Sequence, residues 1–288
     1  MTDFSADWLR LRELADTRAR SDSITSSFVA ALDAREPRHI VDIGAGAGAN
    51  LRFLAPRIPG AQQWLLVDHD VSLLERVGER TRDWCAEHHW QLSMQNDTPR
   101  VVGEGWECLL QTHQMDLASR LEELRLERGS VVTASALLDL VSERWLSALA
   151  ARCREADALA LFALTYDGRI ELWPEEPEDS FICELVNRHQ RGDKGFGPAL
   201  GPGAAPEAAR LFTAQGYRVH CRESDWDLQP DQPRLQTQLI EGWAQAASQI
   251  VPAEAARCES WLRRRLAHVT AARSRIIVGH QDLMASLR

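Results

Sequence analysis

A glycine-rich turn behind a short apolar strand is the part of this sequence best suited to binding a ligand. Gly44, Gly46 and Gly48 stand between a predicted strand and a predicted helix. Glycine lacks a Cβ, so the backbone can turn sharply and approach a ligand closely, and the free N–H groups of the following helix point to the same place. The spacing leaves two interpretations open. Gly44-x-Gly46-x-x-Ala49 fits a dinucleotide fingerprint, whereas Gly44-x-Gly46-x-Gly48 fits the turn of a methyl-donor site.

Carboxylates follow three successive predicted strands. Asp42 stands just before the glycine turn, Asp68 ends the segment QWLLVD, and Asp116 follows a strand placed near 108–115. Unpaired buried charge is costly, so these positions indicate ligand contacts. Asp42 could meet a cationic group, Asp68 both hydroxyls of a ribose, and Asp116 an adenine amino group. A nicotinamide cofactor places no positive charge at Asp42, which favours the methyl-donor interpretation. Helix capping is the alternative for Asp68 and for Asp116, the latter ahead of a helix placed near 119–128.

With these residues the chain resembles the class I S-adenosylmethionine-dependent methyltransferases. The resemblance runs from about Arg38 to Tyr166, is specific at VDIGAGAG and LLVDHD, and is weaker at HQMDLAS and VVTASALLDLV. It implies S-adenosylmethionine as cofactor, its methionine part on the glycine turn, its ribose on the second strand's acid and its adenine at the third strand's end. The fourth strand's end would line the channel to the substrate. The cofactor-binding residues carried over are Asp42, Gly44, Ala45, Gly46, Gly48, Asp68, His69, Asp116, Leu117, Ser135 and Ala136.

The order of predicted elements indicates an α/β fold. Strand and helix alternate five times up to residue 166, which is typical of a doubly wound, Rossmann-like sheet with right-handed crossovers. The resemblance implies seven strands, mostly parallel, with an antiparallel last strand. Segments 217–223 and 275–280 are predicted to be the sixth and seventh strands.

Helical segments and a lid are expected around this sheet. Residues 1–36 are predicted to form an N-terminal helical segment, followed by an α/β domain over 37–288. That domain would carry a lid insertion at about 167–215 and a helical insertion at about 225–273. The helical insertion departs from the resemblance, because two long helices stand where the family has a short hairpin.

The segment Asn187–Pro198 and the residues that follow it are rich in glycine and proline. They are predicted to form an ordered loop or lid. Following the fifth strand, it would lie at the carboxyl edge of the sheet and could fold over a methyl acceptor; a plain surface connection is the alternative. The candidate substrate-binding residues are Asp139, Tyr166, Arg188, His189 and Lys194. A general base is needed only if the accepting atom carries a proton. The candidates, in order, are His189, Asp139 and Tyr166, and no other catalytic residue is assigned.

The composition restricts the partners. Of 288 residues, 44% are hydrophobic and 26% charged, as in a globular protein, and the net charge is −9. This acidic balance, without a long basic stripe, disfavours nucleic acid. No stretch is apolar enough to span a bilayer and the N-terminus lacks a signal-peptide core, so a cytoplasmic protein without a membrane partner is expected. The six cysteines are scattered without a Cys-x-x-Cys pair, which indicates buried hydrophobic residues and no metal site.

These observations predict an S-adenosylmethionine-dependent methyltransferase that acts on an oxygen or nitrogen atom of a small molecule, as a monomer or homodimer. Two alternatives stay open. One is a catalytically silent cofactor-binding scaffold of the same fold, and the other is a nicotinamide-dependent oxidoreductase that uses the dinucleotide fingerprint.

Overall fold

The computed structural model describes residues 5–32 and 38–287. In these ranges the strands are β1 (Arg38–Ile43), β2 (Gly60–Asp68), β3 (Gln91–Gln95), β4 (Thr98–Gly103), β5 (Trp106–Gln114), β6 (Val131–Ser135), β7 (Leu159–Trp173), β8 (Arg218–Glu223), β9 (Trp226–Leu228) and β10 (Arg275–Ser286). The helices are α1 (Ala6–Ala19), α2 (Asp22–Ala31), α3 (Ala49–Leu54), α4 (Val71–His88), α5 (Leu117–Arg120), α6 (Glu143–Glu155), α7 (Asp179–Gln190), α8 (Ala204–Ala214), α9 (Pro233–Ile250) and α10 (Ala255–Thr270). Helices α1 and α2 lie within the predicted N-terminal helical segment, and α9 and α10 lie within the predicted helical insertion. Parts of the predicted N-terminal segment, at 1–4 and 33–36, lie outside the described residues.

The strands form one sheet in the order β3-β4-β5-β2-β1-β6-β7-β10-β8, with β9 paired to the first part of β10. Strands β5, β2, β1, β6 and β7 are parallel, and β10 runs antiparallel between β7 and β8. Apart from the β3–β4 hairpin and β9, this is a doubly wound, seven-stranded sheet in which the last strand of the chain is antiparallel. The predicted fold class is therefore confirmed.

Apolar side chains cover both faces of the central strands, as expected for parallel strands packed between helices. On one face, Phe162 of β7 lies in a cluster with Leu146 of α6 and Phe212 of α8. On the other face, Trp64 of β2 lies in a cluster with Phe28 of α2. Because these central strands are parallel, their carboxyl ends meet at one edge of the sheet, which is where ligands bind in open α/β folds.

Strands β7 and β10 extend together beyond this edge, and both are longer than predicted. The sequence after Tyr166 carries the charged residues Asp167 and Arg169 and leads into an acidic stretch, which is why it was predicted to be an insertion. In the structure its charges are paired, since Arg169 contacts both Asp167 and Asp225. Helices α7, α9 and α10 share a separate core with this extension, which includes the fully buried Trp261.

Two other local predictions are wrong. The helix predicted near 119–128 is only the short α5 followed by a 3-10 turn at 121–123, because Leu121 and Leu124 turn into the core on the way to β6. The loop predicted to begin at Asn187 begins later, since residues 187–190 are the last turn of α7. The β3–β4 hairpin, whose turn is at residues 96–97, was not predicted at all.

No helix within the described ranges is long and apolar enough to cross a membrane. All six cysteines are free; Cys183 and Cys221 are half-buried and the other four are buried. The prediction that the cysteines are buried residues holds for Cys85, Cys108, Cys153 and Cys258.

Candidate functional site

A cavity of about 200 Å³ lies at the carboxyl edge of the sheet. One side is formed by the ends of β1, β2, β5 and β6, and the other by α1 and by the loop after α7. The order of the strands reverses between β1 and β6. Such a switch point opens a crevice in which α/β proteins bind ligands.

The glycine turn forms the floor of this cavity. Gly44 and Gly46 line it with φ angles of +67° and +51°, which are strained for residues with a side chain. A Cβ on Gly46 would lie 3.2 Å from the Leu9 side chain of α1, in space that faces the cavity. Ala45 also lines the cavity and donates its N–H to the Val67 carbonyl, which joins the turn to β2.

Asp68 holds the glycine turn in place and also faces the cavity. Its Oδ2 accepts a hydrogen bond from the Gly46 N–H at 2.8 Å, and its Oδ1 accepts one from the Asp70 N–H at 3.0 Å. The alternative that Asp68 caps the next helix is wrong, because Asp70 caps α4. A carboxylate has about four acceptor positions, so Asp68 keeps capacity for a ligand. His69 lines the cavity too, with Nδ1 3.2 Å from Asp68 Oδ1.

Asp42 lies behind the glycine turn and is 1% exposed. Its Oδ1 accepts a hydrogen bond from Asn50 Nδ2 at 2.8 Å, whereas its Oδ2 has no hydrogen-bond partner among the described residues. Burial raises the pKa of Asp42 to about 7, and the nearby Asp68 charge adds to the rise against the effects of Asn50 and Arg20. A buried carboxylate with an unused oxygen is expected to gain from a cation at the adjoining cavity. Gly48 likewise lies behind the wall, as the residue before α3.

The ends of β5 and β6 form another part of the side of the cavity that the sheet supplies. Asp116 and Leu117 line the cavity, and Asp116 also caps α5 by accepting a hydrogen bond from the Ala118 N–H at 3.1 Å. Both interpretations of Asp116 are therefore compatible with its position. Ser135 and Ala136 line the cavity next to them.

Helix α1 covers the cavity, a role that no sequence argument assigned to it. Leu9, Arg12, Glu13 and Asp16 line the cavity from one face of the helix. Glu13 fastens this face to the α/β domain, with Oε1 2.7 Å from Arg52 Nε and Oε2 2.8 Å from Nη2 of an α4 arginine, Arg80. Although burial opposes it, these two guanidinium groups lower the pKa of Glu13. The signal in the sequence was a polar stripe at helical spacing on a helix with little apolar surface.

The loop after α7 reaches the far end of the cavity. Lys194 and Phe196 line it there together with Leu140. The Lys194 ammonium donates a hydrogen bond to the His189 carbonyl at 3.1 Å and lies 3.3 Å from His189 Nδ1. Burial lowers the pKa of Lys194, while Asp139 opposes that shift. Phe196 packs edge-on against Trp145, with ring centroids 5.3 Å apart.

Four of the five predicted substrate-binding residues, Arg188, His189, Tyr166 and Asp139, do not line the cavity. Arg188 and His189 belong to the last turn of α7, and His189 Nε2 bonds to Gln249 at 3.0 Å, so His189 supports Lys194 from behind. Tyr166 is buried and donates its hydroxyl hydrogen to Asn187 Oδ1 at 2.8 Å. Burial raises the pKa of Tyr166, so it stays protonated.

Asp139 lies in a short turn behind the cavity wall, next to the lining residue Leu140, and is 7% exposed. Its Oδ1 has no hydrogen-bond partner among the described residues. Burial raises its pKa to about 6, with Arg12 and Lys194 acting in the opposite direction. Asp139 therefore interacts electrostatically with Arg12 and Lys194, which both line the cavity.

In the ranges that the structure describes, no three His, Cys, Asp or Glu side chains are arranged to hold a metal ion.

No family model and no curated protein matches the chain. Solved structures with a similar fold include a cyclopropane synthase from Mycobacterium tuberculosis, with 10% identity, coverage of 99% of this chain and 95% of that one, and a TM-score of 0.49. A SAM-dependent methyltransferase from Geobacter sulfurreducens, in complex with S-adenosyl-L-homocysteine, has 13% identity, full coverage of both chains and a TM-score of 0.46. A SAM-dependent methyltransferase from Thiobacillus denitrificans, in complex with S-adenosyl-L-homocysteine, has 13% identity, full coverage of both chains and a TM-score of 0.45. Similarity at this level carries no functional information for this chain, so its own residues must decide.

Proposed function

We propose that this protein is an S-adenosylmethionine-dependent methyltransferase that methylates an oxygen or nitrogen atom of a small molecule. One observation carries the proposal: a single cavity joins a glycine turn held by Asp68, with the half-paired Asp42 behind it, to a second end lined by Lys194 and Phe196. The first end suits the donor and the second suits the acceptor.

The donor end fits S-adenosylmethionine on three counts. The buried Asp42 oxygen without a partner suits the ammonium of the methionine part, directly or through water. The floor at Gly46 leaves room that a side chain would fill. The remaining acceptor capacity of Asp68 suits the ribose hydroxyls, and Asp116 with Leu117 lies where adenine would be held.

The chain's own residues have to orient the acceptor and exclude water. When bound, S-adenosylmethionine supplies an electrophilic methyl group on sulfur. Methyl transfer is an in-line displacement, so holding the accepting atom about 3 Å from the methyl group contributes most to the rate. Helix α1 closes the cavity over this point, and Lys194, oriented by His189, would position the acceptor.

A proton must leave if the accepting atom is a hydroxyl or a protonated amine. Asp139 is the base that we favour: it lies next to the lining residue Leu140, one of its oxygens has no partner among the described residues, and its pKa of about 6 leaves it largely ionised at neutral pH. His189, the first candidate from the sequence, bonds to Gln249 and Lys194 instead of facing the cavity. Tyr166 keeps its proton. We therefore place Asp139 ahead of His189. The small-molecule substrate, the cytoplasmic location and the monomer or homodimer state stay predictions.

Calorimetric titration separates this proposal from its alternatives. We expect S-adenosylhomocysteine to bind with one molecule per chain and NAD not to bind. NAD binding without S-adenosylhomocysteine binding would instead favour the oxidoreductase. Methyl-labelled S-adenosylmethionine is then offered with fractionated small metabolites, and label should appear in a small-molecule product. Donor binding without any label transfer would favour the silent scaffold.

A further inference from the structure

A row of buried polar groups runs behind the glycine turn, from the end of α1 to Asp42. Arg20 directly follows α1 and is 6% exposed, and Asp282 of β10 is fully buried. Arg20 Nε lies 3.4 Å from Asp282 Oδ2. Arg20 Nη1 donates a hydrogen bond to Asn50 Oδ1 at 2.9 Å, and Asn50 Nδ2 donates in turn to Asp42 Oδ1 at 2.8 Å.

Asp282 is held by two other parts of the fold, β7 and the start of α2, and it positions Arg20. Its Oδ1 accepts a hydrogen bond from the Leu164 N–H of β7, and its Oδ2 accepts one from the Ser21 N–H at the start of α2, both at 2.9 Å. The Arg20 guanidinium also lies over the Phe53 ring, 4.3 Å from its centroid.

The bond from Arg20 decides which way the Asn50 amide faces. Arg20 has only donors, so the Asn50 atom next to it must be the oxygen. The amide NH2 group then has to face Asp42 and the Thr133 hydroxyl, which lies 3.0 Å away. Asn50 therefore presents donors to Asp42 because Arg20 occupies its acceptor.

The charges in this row do not balance. Asp42 and Asp282 share one guanidinium, and Arg20 Nε and Nη2 have no hydrogen-bond partner among the described residues. Burying an incompletely paired arginine is costly. Within the row there are two carboxylates for one cation, Asp16 and Arg57 also act on Arg20, and Asp68 adds a negative charge on the cavity side.

We propose that Arg20 is a positioning residue for the donor site: through Asn50 it orients the Asp42 carboxylate, and, shared with Asp282, it favours the ionised form of that carboxylate, which receives the cationic part of S-adenosylmethionine. The inference rests on the proposed function. The charged groups that act on Asp42 are Arg20 and Asp68, and its polar contact is Asn50.

The test measures S-adenosylhomocysteine affinity across the neutral pH range for Arg20→Met, Arg20→Lys and Asp282→Asn. In the wild type, affinity should rise with pH as Asp42 ionises. Arg20→Met should shift the midpoint upward by about one pH unit, which is about a tenfold loss of affinity well below the wild-type midpoint that alkaline pH partly restores. Arg20→Lys should keep the midpoint, and Asp282→Asn should move it downward because Arg20 then interacts with one carboxylate fewer.

Arg265→Met is the matched control, since Arg265 is a fully buried arginine paired with Asp179 that does not line the cavity. It should lower stability without moving the midpoint. An unchanged midpoint in folded Arg20→Met, with affinity lowered equally at every pH, would overturn the proposal. If Arg20→Met does not fold, Asp282→Asn decides by the direction of its shift, and an unchanged or raised midpoint overturns it.

Failure of the proposed function is recognised separately, as absence of S-adenosylhomocysteine binding by the wild type. The effect of Arg20 on Asp42 is then tested without ligand. The free energy of unfolding is measured across pH for the wild type and for Arg20→Met, each with and without Asp42→Asn. Removing Arg20 should extend the pH range over which the difference made by Asp42→Asn grows. The same pH range with and without Arg20 would overturn the proposal.

Discussion

Replacing Asp42 with asparagine should stabilise the ligand-free protein at mildly alkaline pH while weakening donor binding. Asp42 is 1% exposed, bonds to Asn50 through one oxygen, and has no partner among the described residues for the other. Burial, with the Asp68 charge, raises its pKa from 3.8 to about 7. Asparagine has the same shape, carries no charge and still offers an oxygen to Asn50.

The sign and size follow from this pKa. Below pH 3.8 Asp42 is protonated in both the folded and the unfolded chain, and its contribution to stability is fully present. Between pH 3.8 and about 7 the unfolded chain has released this proton while the folded chain still holds it, so the contribution falls and is lost as the pH rises through about 7. The interval from 3.8 to about 7 corresponds to about 4 kcal/mol. The stability advantage of Asp42→Asn should grow over this interval and level off above it.

Urea unfolding followed by tryptophan fluorescence measures this difference at a series of pH values. Asp231→Asn is the control, because Asp231 is exposed, and its curve should run parallel to that of the wild type. Calorimetry on the same samples should show weaker S-adenosylhomocysteine binding by Asp42→Asn only. A stability difference between Asp42→Asn and the wild type that does not change with pH would refute the reasoning.

Other substitutions test separate parts of the site. Asp68→Ala should weaken S-adenosylhomocysteine binding by about 1–3 kcal/mol, since a charge-assisted pair is lost; unchanged affinity in calorimetry would remove Asp68 from the ribose role. Gly46→Val should abolish binding in a folded protein, because its φ is +51° and a side chain would fill ligand space; normal binding would show that the turn faces elsewhere. Glu13→Gln should speed donor release in stopped-flow fluorescence, since α1 is held by the ion pairs of Glu13. Added salt should speed release from the wild type but have less effect on the variant. Equal release rates would mean that these ion pairs do not keep α1 over the cavity. Replacing His189 and Lys194 together by alanine should reduce turnover much more than donor affinity, and Lys194→Ala alone should account for most of the loss because only Lys194 lines the cavity; wild-type turnover would return the loop to a surface connection.

The end of the cavity that we propose for the donor was predictable from the sequence because its signals are local. A strand, a glycine turn and a helix follow one another within VDIGAGAGANL, and the conformation of each glycine depends on its own missing Cβ. Asp68 was found for the same reason, at the end of a continuous apolar strand. Parallel pairing then brings the ends of separate strands to one edge, so strand order alone placed Asp42, Asp68 and Asp116 near each other.

The acceptor end was decided by tertiary structure. His189 was expected in a loop, but Ile182, Leu185 and Val186 are buried at helical spacing and carry α7 through it. The continuation of β7 after Tyr166 pairs with β10, and Asp225 supplies a charge for Arg169.

What the sequence by itself determined is therefore the central parallel strands and the candidate ligand-contacting groups built from consecutive residues, because near neighbours and backbone geometry specify them. Only the tertiary structure decided what covers them. Helix α1 lies over the cavity through ion pairs of Glu13 with residues 39 and 67 positions away, and Arg20 reaches Asp282 across 262 positions. Contacts between residues so far apart in the chain depend on the whole fold, and no local pattern records which charge will meet which.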